Sequence, residues 1–349
     1  MKSKDRSLNF MLICSVLLLV LSSVSNYYCS SFLVIDEISY LFASIFHSLA
    51  IVAVPLIFMV SGAILIDKAI DIKKYYRNII NIIIIILVWT VLYSIWNYFY
   101  MKNDTSIWLL TIESLFKPIN DNLRLLYIFF GLYLVLPFIQ LLVKNMNYEL
   151  ESLFLKLWLF FTGTVYLIIV ILNFSGLEAS IIYNIPIFQG SQYLGYFIIG
   201  YIIYKNLREK GYFPDYNKYF GVCYLLGTII TIVGTYVVSI NQNQYCDQLF
   251  STESLFVIMS SISLFILVVN NQKQLFKSNK FSRLIRKIVP YSLGIYLIHM
   301  FFVDIIIKNE LAIFLEAYIA IPICFISIYL LSLLIIFLIR KIPFIKKYF

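Results

Sequence analysis

Apolar residues in this chain come in long unbroken blocks, and the polar residues gather between them. Ten blocks stand out, near residues 8–24, 41–66, 79–99, 124–143, 152–173, 190–204, 218–239, 251–270, 288–307 and 313–339. A helix that crosses a bilayer needs ~20 apolar residues, with a range of ~17–25. All but the block at 190–204 reach that length. Length decides for helix here, where periodicity alone does not. A spanning segment must also satisfy its own backbone hydrogen bonds. The pattern therefore predicts an all-α integral membrane protein of about ten transmembrane helices, one domain over 1–349 with no separate soluble domain. In the second block, Val54-Pro55 predicts a kink, because proline lacks the N–H that the preceding turn needs. Ser61-Gly62 predicts a close helix approach. Between the third and fourth blocks, Ser106 to Phe116 mixes Ile107, Trp108, Leu110 and Leu115 with polar residues. It reads either as a short interfacial helix or as an ordinary loop with an aromatic anchor.

Charge orients this array. With the N-terminus in the cytoplasm, all but four of the 27 Lys and Arg fall on the cytoplasmic side; the exceptions are Lys102, Lys117, Arg124 and Lys308. That is the bias of the positive-inside rule. Ten spans would also return both basic termini to the cytoplasm. The first block has the basic flank and apolar core of a signal peptide, but the topology favours an uncleaved span. The net charge of +9 is thus a topology signal, and no nucleic-acid site is expected. Composition agrees, with 13% charged residues against about 25% in soluble domains. The expected setting is a lipid bilayer, the plasma membrane, crossed many times.

Chemistry has few places to sit. The chain has two histidines, His47 and His299, and both fall inside spanning blocks. Ionisable groups at that depth are costly and usually face a bundle interior or a cavity. Ser292, Tyr296, His299 and Val303 share one helical stripe. His299 then reads as a base or donor in a polar cavity, or as a buried ring bonded to a neighbouring carbonyl. His47 shares a face with Ser44 and Ser48, nearer the membrane surface, where the second of these readings is stronger. On the first block, Ser15, Ser22 and Asn26 form a weak polar stripe with Ser23 beside it. Asp121, Asn122 and Arg124 cluster at the outer start of the fourth block, where Arg124 would bind a carboxylate or sugar, or anchor the helix end. Cys29 and Cys246 fall in expected outer loops and could pair if the exterior is oxidising. No phosphate-binding glycine loop, no metal-ligand spacing and no G-x-S-x-G elbow is present.

Four stretches carry a family resemblance: Ala53 to Gly62, Leu126 to Pro137, Leu194 to Tyr201 and Ser292 to His299. Together, in order and spread over nearly the whole chain, they resemble the acyltransferase-3 family of multi-spanning O-acyltransferases. The resemblance implies transfer of an acyl group, commonly acetyl, from cytoplasmic acyl-CoA to a hydroxyl of a cell-surface polysaccharide or glycan, with no metal. Polysaccharide synthesis machinery is an implied partner. Acyl-CoA phosphates would meet Arg77, Lys73 and Lys74, or the basic stretch 273–287. His299 and His47 would serve as catalytic bases, with Asn122, Arg124 and Tyr296 at the acceptor. The family pattern also carries an Arg and, eleven residues later, a His in its first span. Leu12 and Ser23 stand at those positions. Its His-x-Trp before the fourth-span motif becomes Asn122 and Arg124. A serine needs a base of its own to act near neutral pH. Two other readings therefore stay open: a catalytically silent relative that binds or exports surface polysaccharide, and an ion-coupled transporter with Asp304 as its nearest intramembrane carboxylate.

Overall fold

The computed structural model describes residues 6–102, 105–175, 191–211, 216–276 and 279–342. Lys2, Lys4, Lys277, Lys346 and Lys347, all placed by the charge argument on the cytoplasmic side, lie outside them. Among the described residues regular structure is helical: α1 (Arg6–Ser30), α2 (Glu37–Ala50), α3 (Ala53–Leu65), α4 (Ile72–Phe99), α5 (Ile107–Phe116), α6 (Asp121–Leu134), α7 (Leu136–Lys144), α8 (Tyr148–Trp158), α9 (Val165–Phe174), α10 (Ser191–Lys210), α11 (Asn217–Gln242), α12 (Leu255–Asn270), α13 (Asn279–Ile288), α14 (Ser292–Lys308) and α15 (Ala317–Ile339). Eight rods in the described residues are long and apolar enough to cross a membrane, or nine if the bent pair α6–α7 counts as one span.

The ten blocks do not map one for one onto straight rods, and the differences have local causes. The second block breaks at Ile51 and Val52, between α2 and α3. Pro55 explains the position, since it has no N–H to offer the carbonyl of Ile51. The fourth block bends by 61° between α6 and α7, with Pro137 just past the joint. α8 and α9 run on as one rod through a π-helical turn, Leu159–Thr164. The sixth block becomes α10, which begins with Ser191 and Gln192 and ends among Lys205, Arg208 and Lys210, so its apolar stretch stays short. Ser106 to Phe116 is helical as α5, with the Ser106 hydroxyl accepting from the Leu109 N–H at 3.4 Å. Its exposed Trp108 and Phe116 suit an interfacial helix.

Burial separates an inner set of helices from a lipid-facing set. The apolar windows of α1 and of α2–α3 are 56% and 61% buried, whereas those of α11 and α15 are 22%. α3 and α10 cross at near-contact of their backbones. A Cβ on Gly62 would lie 1.7 Å from the Phe197 carbonyl oxygen, and one on Gly200 would lie 2.1 Å from that of Met59. The two glycines thus permit one close crossing from both sides.

Polar contacts stitch each end of the bundle. At the end where α1 finishes, Tyr40 donates to Ser239 (2.7 Å), Ser39 to Glu316 (2.8 Å) and Tyr245 to Asn26 (3.1 Å). At the end where α1 starts, Lys205 pairs with Glu151 (3.0 Å), Arg208 with Asp67 (3.1 Å), and Gln140 donates to the Leu65 carbonyl (2.7 Å). Cys29 and Cys246 are free and buried, Cys29 within the last turn of α1 rather than in a loop.

Candidate functional site

His47 sits about 15 Å along α2 from Glu37, at ~1.5 Å per residue, just ahead of the break before α3. Its Nδ1 lies 3.2 Å from the Ser22 carbonyl oxygen and 3.2 Å from Ser25 Oγ. Ser25 spends its own proton on the Leu21 carbonyl at 2.7 Å, so its oxygen accepts. Both neighbours call for a proton on Nδ1, which leaves Nε2 with the lone pair. Phe250 meets the ring edge-on, with centroids 4.5 Å apart.

His299 is completely buried. Its Nδ1 faces two carbonyls of its own helix, Tyr296 O at 2.8 Å and Ile295 O at 3.2 Å. Nδ1 therefore carries the proton here too. Nε2 faces Ser23 Oγ at 3.3 Å and Asn122 Nδ2 at 3.3 Å. These partners arrive from α1 and α6, 276 and 177 residues away in sequence. Tyr296, one turn earlier on α14, donates its hydroxyl to the Asn122 carbonyl, and Asn122 Nδ2 reaches back to Tyr296 O at 3.4 Å. Ser23, His299, Asn122 and Tyr296 thus form one buried polar knot between three helices.

Two cavities meet at this knot. The larger, about 680 Å³, is polar and lies at the end where α1 finishes. Ser22, Ser23, Asn26, His47 and Asn122 line its floor, and Gln192, Tyr193, Tyr245 and Glu253 stand around them. The smaller, about 310 Å³, is walled almost wholly by apolar side chains such as Leu12, Val16, Phe58, Ile85 and Phe129, with Tyr296 at one edge. On α1 the walls of the two cavities are Leu19 to Asn26 and Leu12 to Val16; on α6 they are Asn122 to Leu125 and Leu125 to Phe129. The cavities are therefore stacked along the bundle axis. Val54 and Leu125 belong to both walls. Each volume lies within the ~300–1,000 Å³ typical of small-molecule sites.

The sequence candidates divide between these places. His47, Asn122 and Arg124 line the polar cavity, whereas Tyr296 faces the apolar one. His299 lines neither; Ser23 and Asn122 stand between its Nε2 and the polar cavity. Lys73, Lys74 and Arg77 are exposed on the first turns of α4, with Arg77 about 7.5 Å along the helix from Ile82 of the apolar cavity. Asp71 caps that helix start, accepting from the Lys73 and Lys74 N–H groups at 3.0 and 3.3 Å. Asp304 accepts from Trp96 Nε1 at 3.0 Å and lines neither cavity.

Several cavity residues had no signal in the sequence. Tyr166 and Asn173 on α9 and the segment Tyr245 to Glu253 reach the cavity only because their helices converge there. The basic stretch 273–287, the alternative expected place for acyl-CoA phosphates, falls largely on one helix. α13 exposes Lys280, Arg283, Arg286 and Lys287 while burying Ser282 and Ile285. It leads directly into Val289 and Pro290, which line the apolar cavity.

Comparison with curated proteins and with solved structures gave no match. A family model, that of the acyltransferase-3 acyltransferase domain, matches residues 5–341. That stretch runs from the start of α1 past the end of α15 and takes in both cavities and the knot between them. With nearly the whole of this multi-pass membrane chain matched, it belongs to the acyltransferase-3 family of membrane acyltransferases.

Proposed function

We propose that this chain moves an acyl group, acetyl in the first instance, from cytoplasmic acyl-CoA to a hydroxyl of a cell-surface polysaccharide or glycan outside the plasma membrane. The observation that carries this reading is the stacking of two unlike cavities on a single histidine knot. Acyl transfer between two sides of a membrane needs an apolar passage for the thioester arm, a polar pocket for the acceptor, and a base where they meet. Polar side chains mixed with Tyr193 and Tyr245 suit a sugar, which offers hydroxyls and apolar ring faces together. On the other side, Arg283, Arg286 and Lys287 precede the apolar cavity and suit the phosphates of CoA, with Lys73, Lys74 and Arg77 as a second basic group. His47 and the His299 knot supply the bases; Asn122 and Arg124 hold the acceptor. Polysaccharide synthesis machinery would deliver that acceptor.

The test uses proteoliposomes holding the full chain, labelled acetyl-CoA on one side and a polysaccharide acceptor on the other. Label should appear on the acceptor, and cells lacking the protein should lose O-acyl groups from their surface polymer. A silent relative that binds or exports polysaccharide is the second reading, favoured by Leu12 and Ser23 standing where the family pattern has Arg and His. It predicts polymer retained inside the deleted cells with unchanged acylation of what is exported.

A further inference from the structure

We infer that Ser23 is itself a nucleophile, carrying the acyl group as a covalent ester between donor and acceptor, with His299 as its base. This rests on the acyltransferase reading above and adds a catalytic residue to it. The argument starts from reach. A general base must come within ~2.6–3.2 Å of the proton it takes, often somewhat longer before substrate binds. His299 does not line the polar cavity, so an acceptor hydroxyl there meets Ser23 and Asn122 first. Ser23 Oγ is the hydroxyl that faces both the cavity and the Nε2 lone pair, 3.3 Å away.

Ser22, Ser25 and Ser15 on the same helix do not meet both conditions. Ser22 lines the cavity, but its hydroxyl approaches His47 Nδ1, the nitrogen that carries a proton. Ser25 is fully buried and does not line it. Ser15 bonds the Met11 carbonyl at 2.7 Å. For Ser23 the arrangement is nucleophile, base and a third group that orients the base. The orienting group is the pair of carbonyls at Ile295 and Tyr296, which hold Nδ1–H. At rest the Ser23 hydroxyl also has the Leu19 carbonyl within reach, at 3.1 Å. Turning toward Nε2 gives up that bond for one of similar length.

In the first step Ser23 Oγ attacks the thioester carbonyl and its proton passes to His299 Nε2. The new C–O bond forms first, giving a tetrahedral intermediate; the C–S bond then breaks and the proton goes on to the leaving thiolate, giving CoA-SH. Asn122 Nδ2–H points at Nε2 in the resting state. Once Nε2 is protonated it no longer accepts, and that N–H is free for the oxygen that becomes negative in the tetrahedral intermediate. In the second step an acceptor hydroxyl attacks the Ser23 ester. The acceptor C–O bond forms, the Ser23 C–O bond breaks, and the acceptor proton, taken by His47 at the cavity wall, returns to Ser23 Oγ. Donor and acceptor never need to occupy the bundle together.

The experiment is isotope exchange without any acceptor. Full-length protein in nanodiscs is given acetyl-CoA and labelled CoA-SH. A covalent intermediate makes labelled acetyl-CoA, and digestion then finds one acetyl group on the α1 peptide at Ser23. Ser23→Ala should lose exchange and labelling; Ser23→Cys, which keeps a nucleophile, should retain both and show that the site folds. Wild-type transfer to an acceptor without exchange, or undiminished exchange in Ser23→Ala, overturns the inference and leaves the acyltransferase reading standing. Neither transfer nor exchange in the wild type overturns both.

Discussion

The two histidines make a controlled comparison inside one molecule. Each is buried in a spanning helix, and each has Nδ1 against a backbone carbonyl. They therefore share a tautomer, with Nε2 as the basic nitrogen. They differ in what lies beyond it. His47 lines the polar cavity, whereas His299 is sealed behind Ser23 and Asn122. The accepting carbonyls differ as well: His299 is held by its own helix, His47 by α1. One ring is fixed by secondary structure and the other by helix packing. Burial of an ionisable residue thus says little about its reach; the neighbour at its free nitrogen decides that.

The sharpest way to break the comparison is His299→Gln. It should lower both CoA exchange and transfer to acceptor by ~10²–10⁴-fold, the contribution of a positioned base, measured in the same nanodisc preparation. His47→Gln should act more on the second half of the reaction, so the ratio of transfer to exchange falls. Equal losses from the two substitutions would erase the distinction drawn here. Tyr296→Phe removes the hydroxyl that holds the Asn122 carbonyl. Interhelical hydrogen bonds in membranes average ~0.6 kcal/mol, so thermal stability should barely change while exchange slows measurably. Ser25→Ala should have the smallest effect, because His47 Nδ1 keeps the Ser22 carbonyl; a loss of transfer as large as that of His47→Gln would show that the hydroxyl, not the carbonyl, sets the ring.

How much of this could be read from the sequence depends on the range of the forces involved. Helices follow from apolar length, a local property, and the break near Pro55 and the close approach at Gly62 follow from local sterics. The stripe through Ser292, Tyr296 and His299 was legible, but it names a face and not what packs against it. Ser292 and Tyr296 turn out to border the apolar cavity, and His299 turns to Ser23 and Asn122. Alignment of Ser23 with a family histidine position marked it as a loss. Only the packing of α1 against α14 puts a ring nitrogen beside its hydroxyl. The shortness of the block at 190–204 was legible, whereas the size of the bend between α6 and α7, 61°, was not.

Val54 and Leu125 wall both cavities. Taken as a septum, they do more than divide two binding spaces. If water fills the polar cavity, the insulating thickness of the bundle shrinks locally to the part beyond these two side chains, and any electric potential across the membrane falls mostly there. Side-chain size at those two positions is then constrained by leakage as well as by turnover.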